Sequence, residues 1–271
     1  KHRVLGLMME KCLKNNGSLA AEHGIGLEKI DYIIKKHTND EIKEFYRLKN
    51  KFDKNNMINP GKVLPKEMPH NDLVNNKFDT TDKISIDKIN MNVVVEADVK
   101  IEELIKSCNE QNLNIGYLTL NKVKGKKIID VIRLNYKNLL SKRHGELKDS
   151  ILGITFNDNG KEVVFGDKLV KNVCGYNICR SNEVLNKDIE KIALRVFNNN
   201  DNKYYKMPIT SIKEEILLAV NSVSYDFTPL IINNNGEKYI IFSSIYNEEE
   251  LEKRDILNVE ILEDMHLFTE L

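Results

Sequence analysis

The apolar residues of this chain keep one period before Leu64 and two after Lys83, and that change constrains the fold more than any single motif. Up to Phe52 they recur every three or four residues. Leu5, Met8, Met9, Cys12 and Leu13 mark a helix over residues 3–15, which Asn15, Asn16 and Gly17 end. Leu27 to Lys36 reads as a second helix. Asn39-Asp40 reads as the cap of a third running to Asp53, with Ile42, Phe45, Leu48 and Phe52 on one face. Beyond Lys83 the periods mix. Met91 to Ala97 is valine-rich and predicts a strand, Ile101 to Gln111 a helix, and Ile151 to Phe156 with Lys161 to Phe165 a hairpin around Asp158-Asn159-Gly160. Ser211 to Ser222 predicts a helix, Tyr239 to Ser244 a strand after the Asn235-Gly236 turn, and Asn247 the cap of a short helix reaching Arg254. Residues 64–83 between the two regimes are polar, hold Pro65 and Pro69 and keep no apolar period, as a linker does. The expected class is α+β.

With 271 residues the chain can bury a substantial core, in one large domain or two modest ones. Its 41 Lys and Arg balance 41 Asp and Glu, which disfavours electrostatic binding to nucleic acid or an anionic membrane. No apolar run approaches the roughly 20 residues of a membrane-spanning helix, and the opening Lys1-His2-Arg3-Val4 runs into an amphipathic helix rather than a secretion signal. A cytoplasmic location is the expectation. Cys12, Cys108, Cys174 and Cys179 lack the spacing of a zinc or iron–sulfur site and read as reduced structural thiols. Opening on Lys1 in mid-helix suggests a piece of a longer protein.

Gly17-Ser18-Leu19-Ala20-Ala21-Glu22-His23-Gly24-Ile25-Gly26 sets a carboxylate beside an imidazole between glycines, and Asn59-Pro60-Gly61-Lys62-Val63 follows a helical hairpin later. Such a pair can hold a metal or tune a proton acceptor, and glycines without a Cβ let a substrate or cofactor approach the backbone. A histidine at a glycine-flanked helix boundary is also an ordinary structural residue.

Taken together, these two segments resemble the C-terminal end of FAD-linked 2-hydroxyacid dehydrogenases, a family that includes the FAD-carrying subunit of glycolate oxidase and D-lactate dehydrogenases of the vanillyl-alcohol-oxidase type. The resemblance implies that His23 is the proton acceptor at the substrate and Glu22 a ligand to a divalent metal such as zinc. It implies that Gly24 and Gly26 give the cofactor access. It further implies that the flavin domain and a metal-binding histidine pair precede residue 1, so that residues 1–63 are the last piece of a catalytic domain. The substrate would be a small 2-hydroxy acid such as glycolate or D-lactate. Electrons would leave FAD for an iron–sulfur subunit or an electron-transfer flavoprotein, because no iron–sulfur cysteine pattern is present here.

A second resemblance begins after the linker. Arg143-His144-Gly145-Glu146-Leu147-Lys148-Asp149 and then Gly166-Asp167-Lys168-Leu169-Val170-Lys171-Asn172-Val173-Cys174-Gly175-Tyr176 are similar to the second subunit of glycolate oxidase, an FAD-binding fold of the same superfamily. The resemblance implies a vanillyl-alcohol-oxidase-type domain over residues 84–205, with a small α+β part over 206–271. It places Lys171, Asn172, Gly175 and Tyr176 beside any second flavin. Glycine is scarce where such folds cradle a pyrophosphate: Gly116 and Gly125 stand alone, and no glycine occurs between Gly175 and Gly236. The domain therefore reads as degenerate, and a non-catalytic scaffold is the alternative to a second flavin site. Lys122, Lys124, Lys126 and Lys127 contact phosphate or line a solvated loop, Tyr176 stacks on flavin or fills core, and His144 is read as a surface residue.

Overall fold

A computed structural model describes residues 2–15, 17–20, 22–66, 78, 80–117, 123–136, 138, 140–170, 175–199, 203–209, 214–224, 229–234, 237–244, 248–254, 256 and 260–261. Residues 1–99 supply α1 (His2–Lys14), α2 (Ile30–Ile33), α3 (Asn39–Phe52), β1 (Ile84–Asp87) and β2 (Asn92–Glu96). Residues 100–150 supply α4 (Ile101–Asn109), β3 (Leu113–Asn114), α5 (Ile128–Leu134) and α6 (Ser141–His144). Residues 151–195 supply β4 (Ile151–Asp158), β5 (Lys161–Gly166), α7 (Asn182–Leu185) and β6 (Ile189–Arg195). The remainder supplies β7 (Phe197–Asn198), β8 (Lys203–Ile209), α8 (Glu214–Val223), β9 (Leu230–Asn234), β10 (Glu237–Ser244), α9 (Glu248–Glu252) and β11 (Glu260–Ile261). The class is α+β.

The chain divides into two compact units, Lys1–Val99 with Ile151–Arg195 and Lys100–Ser150 with Val196–Leu271. The first is built on an antiparallel five-stranded sheet in the order β1-β2-β6-β4-β5. The unbroken Val93-Val94-Val95 run is explained by burial on both faces. Val94 clusters with Phe78, Val164 and Ala193, while Val93, Val95, Phe165, Ile192 and Leu194, alternate residues that point the other way, are equally enclosed. The β4–β5 hairpin turns where expected, with Asn159 and Gly160 both at positive φ (54° and 84°), as a two-residue turn matched to strand twist demands.

Helix α3 packs on β5. Its cap is Thr38 rather than Asn39: the Thr38 hydroxyl accepts the Glu41 amide at 3.2 Å and the Glu41 carboxylate accepts the Thr38 amide at 3.3 Å, a reciprocal box spelled by Thr-x-x-Glu. Ile42, Phe45 and Leu48 are buried, but Phe52, expected on the same face, is 74% exposed because the chain turns away at Asp53. The helix expected over Leu27 to Lys36 shrinks to Ile30–Ile33, since Gly26 enters in a left-handed conformation and turns occupy the residues before and after it. Of the stretch expected as a linker, residues 67–77 and 79 lie outside the described residues, while Leu64 and Phe78 are buried in the first unit.

In the second unit, β11-β8-β10-β9 form an antiparallel sheet on which α8 places Val220 and Val223 against Tyr205, Met207, Ile240 and Phe242. The Tyr205 and Phe242 rings stack at 5.5 Å. His144, expected at the surface, is half-buried with its ring 4.2 Å from that of Phe197, because Gly116 leaves room for both. No described helix is long and apolar enough to cross a membrane.

Candidate functional site

The Glu22-His23 pair rides on a loop whose flanks are fixed and whose crest is open. At its start the Gly17 amide donates to the Cys12 carbonyl (2.8 Å), closing the end of α1, and the Ser18 hydroxyl bonds both the amide and the carbonyl of Ala20 (3.2 and 3.0 Å). Leu19, Ala20 and Ile25 are sunk in the core. Between these anchors Glu22 and His23 stand 72% and 86% exposed, with Oε1 of Glu22 3.4 Å from Nε2 of His23. Gly24 and Gly26 have φ of 70° and 56° with open space where a Cβ would lie, so backbone conformation and not crowding requires glycine there.

The second segment closes the loop. The Val63 amide donates to the Gly26 carbonyl at 3.0 Å. Asn59, Gly61 and Val63 all take positive φ (48°, 69° and 71°), and Val63 is a β-branched residue in a conformation such residues avoid. What holds it is local. The Asp53 carboxylate accepts the amides of Met57 and Ile58 (2.8 and 2.9 Å) and the Lys49 ammonium (2.6 Å), Leu64 is buried, and the Tyr46 hydroxyl bonds the Pro65 carbonyl. The Lys49 ammonium, and then the backbone amides, hold the Asp53 carboxyl below its ordinary range. Strain of this kind persists only where neighbours over-determine it.

Of the residues expected beside a second flavin, Lys171 and Asn172 lie outside the described residues. Gly175 (φ 91°) faces the Phe45 ring, which a Cβ would meet at 3.0–3.1 Å, and the Tyr176 ring packs edge-on to Phe45 at 6.0 Å. Gly116 is closed likewise by His144 and Phe197, which a Cβ would meet at 2.8–2.9 Å. Neither glycine presents its Cα face to a pyrophosphate. Gly125 alone of the three is open on that side. The described residues therefore do not form the phosphate cradle a second FAD would need.

A buried polar group escaped the sequence reading. The Lys36 ammonium lies 3.0 Å from the Asp167 carboxylate, at 7% and 5% side-chain exposure, and donates to the Gly17 carbonyl at 3.2 Å. Next to it Nδ1 of His37 is 2.8 Å from Glu41 Oε2, while Glu41 Oε1 accepts the Val164 amide at 3.3 Å. The Thr-x-x-Glu spacing was the available signal for Glu41; nothing local marks Asp167, which is 131 residues from Lys36. Cys12 and Cys108 are free thiols, with Cys108 pushed up to about 12 by burial. Among the described residues no group of three or more His, Cys, Asp or Glu is placed to hold a metal ion.

Comparison with known proteins bears on the same segments. Residues 1–63 match the family described as FAD linked oxidases, C-terminal domain. The chain is similar to glycolate oxidase subunit GlcD of Escherichia coli strain K12, 42% identical over 60 residues that are 22% of this chain and 12% of that protein. It is similar to D-2-hydroxyglutarate dehydrogenase of Stutzerimonas stutzeri strain A1501, 41% identical over 57 residues (21% and 12%). The mitochondrial cytochrome D-lactate dehydrogenase of Arabidopsis thaliana is 32% identical over 68 residues (25% and 12%). The match thus spans 12% of the length of each relative. Among solved structures, xylooligosaccharide oxidase from Myceliophthora thermophila C1 in complex with xylobiose aligns with a TM-score of 0.48 at 12% identity, covering 66% of this chain and 40% of that one. The likeness of residues 1–63 to FAD-linked 2-hydroxyacid dehydrogenases, expected from the Glu22-His23 and Asn59–Val63 segments, is supported by these relatives.

Proposed function

We propose that residues 1–63 carry the proton acceptor of an FAD-dependent dehydrogenase of small 2-hydroxy acids of the glycolate or D-lactate class, and that the part beyond residue 84 is a degenerate vanillyl-alcohol-oxidase-type scaffold. The observation that carries the first half is the presentation of Glu22 and His23, exposed and 3.4 Å apart, on a loop clamped at Gly26 to Val63. Bound FAD supplies the hydride acceptor. When the substrate Cα gives up hydride, its α-hydroxyl proton needs a base, and His23 takes it; imidazole is the side chain whose ordinary range brackets neutral pH. Glu22, 3.4 Å away, orients the His23 ring. With a divalent metal such as zinc, Glu22 would supply one carboxylate ligand, the others coming from a histidine pair upstream.

The scaffold reading rests on Gly116 and Gly175 being closed by side chains of this chain. In this reading the domain holds the catalytic part beside an iron–sulfur subunit or an electron-transfer flavoprotein, in the cytoplasm, and binds no nucleic acid. The test uses the full-length protein. His23→Ala should lower turnover of glycolate or D-lactate by on the order of 10²–10⁴-fold, and an unchanged rate refutes the assignment. Flavin absorbance should count one FAD per full-length chain; two would refute the scaffold.

A further inference from the structure

The loop that presents Glu22 and His23 is fixed at its exit by the Gly26–Val63 hydrogen bond, and at its entry by a buried cation. The Lys36 ammonium donates to the Gly17 carbonyl at 3.2 Å and is held from the other side by Asp167 at 3.0 Å. Asp167 is itself a fixed point. Its amide donates to the Leu152 carbonyl (3.2 Å), its Oδ1 accepts the Lys168 amide (2.8 Å), and it follows Gly166, whose φ of 74° brings the chain so close to β4 that a Cβ would collide with the Leu152 carbonyl.

An ion pair enclosed to this degree is a poor device for stability alone, since desolvating both charges offsets most of their attraction, and apolar residues of similar size often serve as well. What apolar residues cannot do is donate a hydrogen bond to a carbonyl at a loop entrance. Gly17 is where α1 hands over to the loop, its own amide being used on Cys12. Its carbonyl thus sets the direction in which Ser18 and the following residues leave.

We propose that Lys36 is a positioning residue for the Glu22-His23 loop and that Asp167 holds Lys36 in that role, so that the β4–β5 hairpin, through Asp167 at its end, sets the pose of the base. This rests on the function proposed above for His23. The experiment has two arms. In the first, hydrogen exchange of the 271-residue chain is compared between wild type, the Lys36→Met/Asp167→Leu double variant, which removes both buried charges together, and the milder Asp167→Asn. Amides of residues 18–26 should exchange on the order of tenfold faster in the double variant while those of β4 and β6 stay unchanged, with a smaller change of the same pattern in Asp167→Asn. In the second, kcat of the full-length enzyme should fall on the order of 10- to 100-fold with KM nearly constant, and Lys36→Arg should restore much of it. Unchanged exchange over residues 18–26 in folded variants overturns the proposal, as does a loss spread evenly over the sheet. If the wild-type enzyme oxidises no 2-hydroxy acid, the function assigned to His23 fails, and the exchange arm still decides whether Lys36 fixes the loop.

Discussion

Phe45 and Phe52 sit seven residues apart on one amphipathic helix, and their replacement by alanine should have opposite consequences. Phe45 is 1% exposed, its ring 5.2 Å from His37, 5.4 Å from Phe165 and 6.0 Å from Tyr176, with Gly175 against its edge. Burial of such a ring is worth about 1.5–3 kcal/mol. The T-shaped and tilted ring pairs add about 0.5–1.5 kcal/mol beyond burial. The cavity left between a helix and a strand that cannot both move inward brings the total for Phe45→Ala to about 4 kcal/mol, within the usual 3–5 kcal/mol for such truncations. Phe52 is 74% exposed, and Phe52→Ala should change stability by about 0.5 kcal/mol or less. The chain has no tryptophan, so hydrogen exchange of β5 amides in the 271-residue chain is the suitable readout. A gap of about 3 kcal/mol between the variants corresponds to roughly a hundredfold in the opening equilibrium. Comparable exchange in the two variants, or a Phe45→Ala effect under about 1 kcal/mol, refutes the packing of α3 on β5.

Two further outcomes are expected. Gly166→Ala should prevent folding of the first unit or cost at least about 4 kcal/mol, because a Cβ would collide with the Leu152 carbonyl; Gly160→Ala, at φ 84° with open space around it, should cost only about 1–2 kcal/mol for the left-handed conformation, as urea midpoints will show. Asp40 is held below its ordinary carboxyl range by Lys161 first and Lys43 second. A depressed folded-state value means that its contribution is complete above the ordinary value and disappears as pH falls through the lower one. The stability difference between wild type and Asp40→Asn should therefore persist at pH 6 and close only in strong acid below about pH 4; a difference that grows on acidification refutes the pairing.

Local chemistry made part of this structure readable. The Asp158-Asn159-Gly160 turn and the Val93-Val94-Val95 run specify their conformations through residues a few positions apart, and the Glu22-His23 and Asn59–Val63 segments marked the candidate loop. Errors arose where a distant partner decides. Ile30, Ile33 and Ile34 carry a helical period, yet Gly26 and the turn after it leave one turn of helix. Phe52 keeps the phase of α3 but lies past the turn at Asp53. His144 is enclosed by Phe197, 53 residues on, through ring contact that no spacing rule encodes. The Lys36–Asp167 pair was unreadable for the same reason, because a lone lysine and a lone aspartate are by default solvated surface residues.

Strand β6 is paired on one side with β2 and on the other with β4, yet it is the last strand of its sheet to leave the ribosome. About 90 residues separate the end of β2 from the start of β6, a delay of roughly 5–20 s at ordinary elongation rates. Throughout that interval the Val93-Val94-Val95 edge has β1 on one flank and nothing made yet for the other, and for the first two thirds or so of it the apolar face of α3 waits for β5. An edge of that composition is what chaperones bind and what aggregates at high expression. Synthesis slowed within residues 100–150 would prolong the exposure, whereas slowing once Arg195 has emerged from the ribosome would leave this sheet complete.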